Sequence, residues 1–154
     1  MKHVLSSLIA LILFLAMPGA SWAEEYANVR VEKLIVSSTA YNDQQLSYLK
    51  TNQPEVTALV VTIPPGGSTG WHQHPVPVYA YVLEGELTVE LKEGKRYRFK
   101  KGEVILEVTN ILHNGINAGK REAILMVFYC GAVGMPNVIK EEAGFAPEES
   151  HDKK

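Results

Sequence analysis

The sequence predicts an all-β domain, an antiparallel sandwich or barrel. Three observations carry that expectation. Short runs rich in β-branched and aromatic residues recur along the chain. Glycine and proline stand at the corners between them. No helical period of apolar residues lasts long enough to compete.

The elements follow in order. Val29 to Val36 holds β-branched residues in partial alternation and reads as a strand. Asp43 to Lys50 forms a short helix or an irregular loop. Val56 to Ile63 is a near-continuous apolar run, as a buried strand should be. Pro64-Pro65-Gly66-Gly67-Ser68 stops it abruptly. Val78 to Leu83 and Glu86 to Leu91 flank Glu84-Gly85, a hairpin signal. Lys92-Glu93-Gly94 turns the chain into Arg96 to Phe99. Val104 to Val108 and Ala123 to Tyr129 complete the set. Neither a second domain nor an internal repeat is expected.

A leader pattern precedes the strands. Lys2 and His3 form a short basic start, Val4 to Met17 is almost wholly apolar, and Ser21 and Ala23 fit the small-x-small cleavage rule. That order is the order of a secretory signal peptide, with cleavage expected after Ala23. The alternative is a membrane-anchoring helix. The run is short for a span of roughly 20 residues, and no basic cluster follows it. The expected organisation is residues 1–23 as signal peptide, 24–140 as the barrel domain and 141–154 as a charged, loosely held tail. The expected location is the periplasm or the medium, with no stable membrane anchor after cleavage.

Cleavage would remove 23 of 154 residues and leave 131. A chain of that size buries roughly two-thirds of its unfolded surface. The formal charge moves from −2 to −3 as Lys2 is lost. No basic stripe tracks phosphates, so nucleic acid and anionic membrane are not expected as partners. Cys130, the single cysteine, cannot form an internal bridge. Its neighbours Val127, Phe128 and Tyr129 favour packing over a role as a soft metal ligand or an intermolecular bridge.

Three histidines carry the chemistry: His72, His74 and His113. One other histidine, His151, remains in the mature chain. On a strand, residues two apart share a face and stand about 7 Å from one another along the chain. A third imidazole from a facing strand would close a triangle around an ion held at roughly 2.0–2.1 Å. Taken alone, His-x-His is a weak signal, because two solvated histidines on a strand look the same.

The surrounding spacing is more specific. From Gly66 to Gly85 the chain reads Gly-x5-His-x-His-x3-Val-x6-Gly. From Gly102 to Asn117 it reads Gly-x5-Val-x-Asn-x2-His-x3-Asn. These runs resemble the two signature motifs of the cupin superfamily, Gly-x5-His-x-His-x3/4-Glu-x6-Gly and Gly-x5-Pro-x-Gly-x2-His-x3-Asn. Tyr81-Val82-Leu83-Glu84-Gly85-Glu86 is similar to the family's Tyr-x-Leu-x-Gly-Glu segment. The resemblance implies a double-stranded β-helix, a jelly-roll barrel, with a metal held near its mouth. The family's glutamate ligand falls at Val78 here, and its proline and glycine fall at Val108 and Asn110. The last two changes alter a turn. Val78 removes a charge and a ligand, which leaves three neutral imidazoles.

Such a set leaves a divalent ion its whole charge and at least one open position. It suits Fe, Zn, Cu or Ni. Three-histidine cupins resemble dioxygenases that act on thiols and diketones. Glu107 lies six residues before His113. It would point inward as a proton acceptor or as an orienting group, or outward as a solvated carboxylate, which is the default on a half-exposed strand. Trp71 is expected in packing, and Gln73 off the ligand face. Tyr79 and Tyr81 are expected opposite the Val78, Ala80 and Val82 face. Asn114-Gly115 signals a turn, where the resemblance implies continuing strand. Asn117 is structural in most cupins and receives no chemistry.

Two functions follow. One is an exported metal-dependent enzyme, dioxygenase-like or hydrolytic, acting on a small molecule. The other is a non-catalytic periplasmic module that binds a ligand or metal. A weaker third is a metal-free barrel that acts through oligomerisation. A homodimer is compatible with the apolar faces expected here. The fold alone does not choose among them.

Overall fold

The computed structural model describes residues 28–141. Among the described residues every strand lies after residue 32, in the larger of the two units into which the contacts divide the chain. The expected signal peptide with its cleavage point, His151 and residues 142–154 of the expected tail lie outside the described residues.

Among the described residues nine strands form: β1 Pro54–Ile63, β2 His72–Gln73, β3 Val78–Glu84, β4 Glu86–Leu91, β5 Arg96–Lys100, β6 Val104–Leu106, β7 His113–Ile116, β8 Ala123–Ala132 and β9 Ile139–Lys140. They build two antiparallel sheets, one in the order β1-β8-β3-β6 and the other β5-β4-β7-β2-β9. The fold is the all-β double sheet that the strand spacing predicts.

Alternation explains the core. Along β3 and β8, every second side chain turns inward. Val78, Val82, Ile105, Leu125 and Val89 are almost wholly buried between the sheets. Each contributes roughly 1.5–3 kcal/mol of apolar burial. Ala40, Leu91 and Val108 form a second buried cluster, with Tyr41 and Ile111 packed against it.

Three sequence expectations change, and two left open are resolved. Val29–Val36 forms no strand, and Val29, Val31 and Val36 are exposed. Its partial alternation meets no neighbouring strand to take up its backbone groups. Val56–Ile63 is not a buried strand. It belongs to edge strand β1, with Val56 63% and Val60 60% exposed. Glu84-Gly85 is not a hairpin turn, since β3 and β4 belong to different sheets. It is a corner, with Gly85 at φ 72° and a backbone so close to Glu122 that a Cβ would strike its carbonyl. At Asn114-Gly115, where turn and continuing strand conflicted, the strand reading holds and the pair runs within β7. Asp43–Lys50 takes the irregular form, and the Gln44 amide pins it by exchanging hydrogen bonds with the Thr109 backbone at 2.8 and 2.9 Å.

Candidate metal centre

The strand register brings the three histidines together. His72 on β2 is the direct cross-strand partner of His113 on β7. Opposed residues of an antiparallel pair project to the same face, with Cβ atoms about 4.5–5.5 Å apart. His74 lies two residues past His72, and its carbonyl accepts the Asn110 amide at 2.8 Å. Ring centroids are 4.4 Å apart for His72 and His113, 4.8 Å for His72 and His74, and 4.9 Å for His74 and His113. One ring nitrogen from each lies within 4.8 Å of the other two. All three residues are buried.

The backbone fixes which nitrogen faces inward. His72 Nδ1 donates to the Gly70 carbonyl at 2.8 Å, His74 Nδ1 to Asn137 at 2.9 Å and His113 Nδ1 to Ile111 at 2.9 Å. A carbonyl oxygen only accepts, so each Nδ1 carries the proton. In a neutral ring the lone pair then belongs to Nε2. His113 Nε2 is buried and has no hydrogen-bond partner. Burial also keeps the rings neutral. It lowers His72, takes His74 to about 3 and His113 to about 4. Their carbonyl partners oppose that shift and do not overcome it.

Three neutral nitrogens with fixed tautomers are a donor set for a divalent ion. Movement of each ring by under about 1 Å would bring them to the roughly 2.0–2.1 Å bonds of Zn–imidazole coordination. The outer carbonyls are the kind of partner that orients ligating histidines elsewhere. The residues present therefore fit a metal.

The rings open on a cavity of about 60 Å3 walled by Val61, Ile63, Leu87, Val89, Leu125 and Val127. One water needs roughly 10–15 Å3 on that measure, so the space takes an ion and a small guest. Val78 is 2% exposed and lines the same cavity with a branched hydrocarbon.

Glu107 overturns the default of an outward carboxylate. Its side chain is 10% exposed, and Oε2 lies 3.7 Å from His113 Nε2. Oε2 has no hydrogen-bond partner. Burial raises its carboxyl to about 7. It does not orient a histidine N–H, because all three are already held by carbonyls.

The remaining residues divide. Tyr79 and Tyr81 stand half-buried on the outer face, opposite buried Val78, Ala80 and Val82. Trp71 is half-buried beneath the Lys92 ammonium, which sits 4.2 Å from its ring centroid. Cys130 is half-buried rather than packed away, on that outer face. It takes no part in the histidine cluster. Asn117 is fully buried and structural, with its amide donating to the Ile63 and Arg121 carbonyls at 2.8 Å each. Tyr129 was not singled out by sequence reasoning. Its ring meets His74 edge-on at 5.5 Å, and its inward phase on β8 is the signal that could have found it.

Residues 59–129 match the family model described as Cupin domain. None of the curated proteins matches the chain. Among solved structures it is similar to an uncharacterized conserved protein with a double-stranded beta-helix domain from Klebsiella pneumoniae subsp. pneumoniae MGH 78578, at 17% identity. That match covers 61% of this chain and 91% of that one, with a TM-score of 0.48. It is similar to a cupin-like protein from Thermotoga maritima msb8 at 22% identity, over 56% of this chain and 64% of that one, with a TM-score of 0.48. It is also similar to an oxalate oxidase in complex with the substrate analogue glycolate, at 27% identity and a TM-score of 0.46. There the match covers 55% of this chain and 45%, less than half, of the oxidase.

Proposed function

The chain belongs to the cupin superfamily, and on that premise we propose that it is a metal-dependent, dioxygenase-like oxidoreductase acting on a small molecule. His72, His74 and His113 hold a divalent ion. One observation carries the reading: three buried imidazoles have their Nδ1 protons held by backbone carbonyls, which leaves Nε2 as the free nitrogen of each ring. A bound ion would supply Lewis acidity and, for iron or copper, access to oxygen chemistry. The protein's own residues do the rest. The carbonyls fix ring orientation, the valine and leucine walls exclude water, and the cavity size selects a small guest with a donor atom and an apolar body.

The leader pattern supports export to the periplasm or the medium as part of this reading. The test is elemental analysis of protein purified from its native compartment with no metal added. Iron or copper, with substrate-dependent oxygen uptake, supports the reading. Zinc, with ligand binding and no turnover, would favour a non-catalytic binding module instead. Full metal content in a folded His113→Ala variant would overturn the ligand assignment.

A homodimer is part of the proposal. The outer face of the β5-β4-β7-β2-β9 sheet is guarded by ion pairs, including Arg96–Glu90 and Arg98–Glu86. The outer face of the other sheet carries Val56, Val60, Met126, Phe128, Tyr79 and Tyr81. Val56, Val60 and Phe128 are exposed. Strands spaced about 4.8 Å apart with a rise of about 3.3 Å per residue give that face roughly 500 Å2. Two such faces bury about 1,000 Å2, the threshold for a specific interface. A second copy meets that requirement with a matching apolar surface.

A further inference from the structure

We infer that Glu107 is a fourth metal ligand, a carboxylate moved from one strand to the next. This deepens the metal-binding reading above and rests on it. The backbone supplies the first argument. The Glu107 amide donates to the Val78 carbonyl at 3.0 Å. Tyr79 pairs with Leu106, so Val78 and Glu107 face one another at the next position of the ladder. Opposed residues project to the same side, roughly 5 Å apart at Cβ. A carboxylate on Glu107 therefore enters the cavity beside the place where one on residue 78 would.

Satisfaction of polar groups supplies the second argument. Among the described residues three buried side-chain polar atoms lack a partner: Tyr41 Oη, Glu107 Oε2 and His113 Nε2. The last two face each other at 3.7 Å. That separation is too long for a hydrogen bond. Bonds of about 2.0–2.2 Å from one ion to an imidazole nitrogen and a carboxylate oxygen can span it. An isolated carboxylate in an apolar cavity is strongly disfavoured, and a coordinated cation removes the penalty. The apolar wall offers Glu107 no other counter-charge, since Val61, Ile63, Leu87, Val89, Leu125 and Val127 carry none.

A third observation separates this role from an orienting one. Metal-bound histidines are commonly steered by carboxylates at Nδ1. Here every Nδ1 is taken by a carbonyl. The free oxygen of Glu107 points to the Nε2 side, where an ion would sit.

The test is Co(II) titration of chelator-stripped protein, read by calorimetry and by the visible d–d bands, together with thermal melting of each form. Glu107→Gln keeps the shape and removes the charge. We expect its Co(II) affinity to fall at least about ten-fold, with altered bands. Its metal-free melting temperature should rise, because a buried unpaired charge is gone. A folded Glu107→Gln with the wild-type affinity and bands would overturn the assignment. So would a variant less stable without metal and unchanged in affinity, which would mark Glu107 as an ion-pair partner of a charged His113. Should Glu107→Gln fail to fold, Glu107→Leu gives the same readings. Failure of the wild type to bind Co(II), or full binding by His113→Ala, would sink the three-histidine reading itself.

Discussion

Val78 and Glu107 face one cavity from neighbouring strands, joined by a 3.0 Å hydrogen bond from the Glu107 amide to the Val78 carbonyl. The hydrocarbon and the carboxylate thus occupy one ladder position on β3 and just beyond β6. The cluster is organised by strand pairing as much as by sequence motif. His72 opposite His113 is the second instance.

Metal addition should stabilise the folded chain. An ion that binds only the native state adds RT ln(1 + [L]/Kd), about 2.7 kcal/mol at a hundredfold excess over Kd. Chelator-stripped protein melted with and without Co(II) or Zn(II) should show that rise. His74→Ala should abolish most of it. An equal rise in His74→Ala would exclude His74 from the ligand set.

Acid should weaken the metal-free protein. His74 falls from an ordinary 6.5 to about 3 and His113 to about 4, and His72 is lowered too, all through burial. The unfolded chain takes up protons that the folded chain refuses. Their contribution is intact above about 6.5 and is lost as the pH falls toward 4 and then 3. Glu107 has the opposite sign. Burial raises it from 4.5 to about 7, so its contribution is full below 4.5 and lost as the pH rises through about 7. Three imidazoles outweigh one carboxyl. The melting temperature should therefore fall between pH 6.5 and pH 4, and a flat or rising profile would contradict the burial of neutral rings.

Asn110, at the position that the sequence resemblance matches to a glycine, adopts φ 58°. Asparagine tolerates that left-handed conformation better than other residues with a Cβ. Asn110→Gly should change stability little. Asn110→Val should destabilise by about 1–2 kcal/mol, read by urea unfolding. Equal stability of the two variants would show that the turn imposes no backbone demand.

The apolar outer face predicts assembly. Wild-type protein should run as a dimer by light scattering at micromolar concentration. Val60→Lys, at a position 60% exposed, should leave the fold intact and halve the mass. A mass unaffected by the lysine would place any interface elsewhere.

Much of this was legible in the sequence. The strands from Val78 to Tyr129 follow period-two alternation, and the two motifs name His72, His74 and His113 by spacing. The failures share a physical origin, because periodicity carries no information about neighbours. Val29–Val36 alternates in part yet meets no strand. Val56–Ile63 is apolar on both faces, which reads the same for a central strand as for an edge strand with an outer apolar surface. Glu84-Gly85 carries turn chemistry that serves a corner between sheets as well as a hairpin. The inward turn of Glu107 depends on its pairing with Val78, a long-range fact that no local pattern records.

The three orienting acceptors at Gly70, Ile111 and Asn137 are main-chain oxygens. Side-chain replacement at those positions deletes none of them. Selection can thus redraw the walls and mouth of this pocket for new guests while the aim of its imidazoles is inherited unchanged.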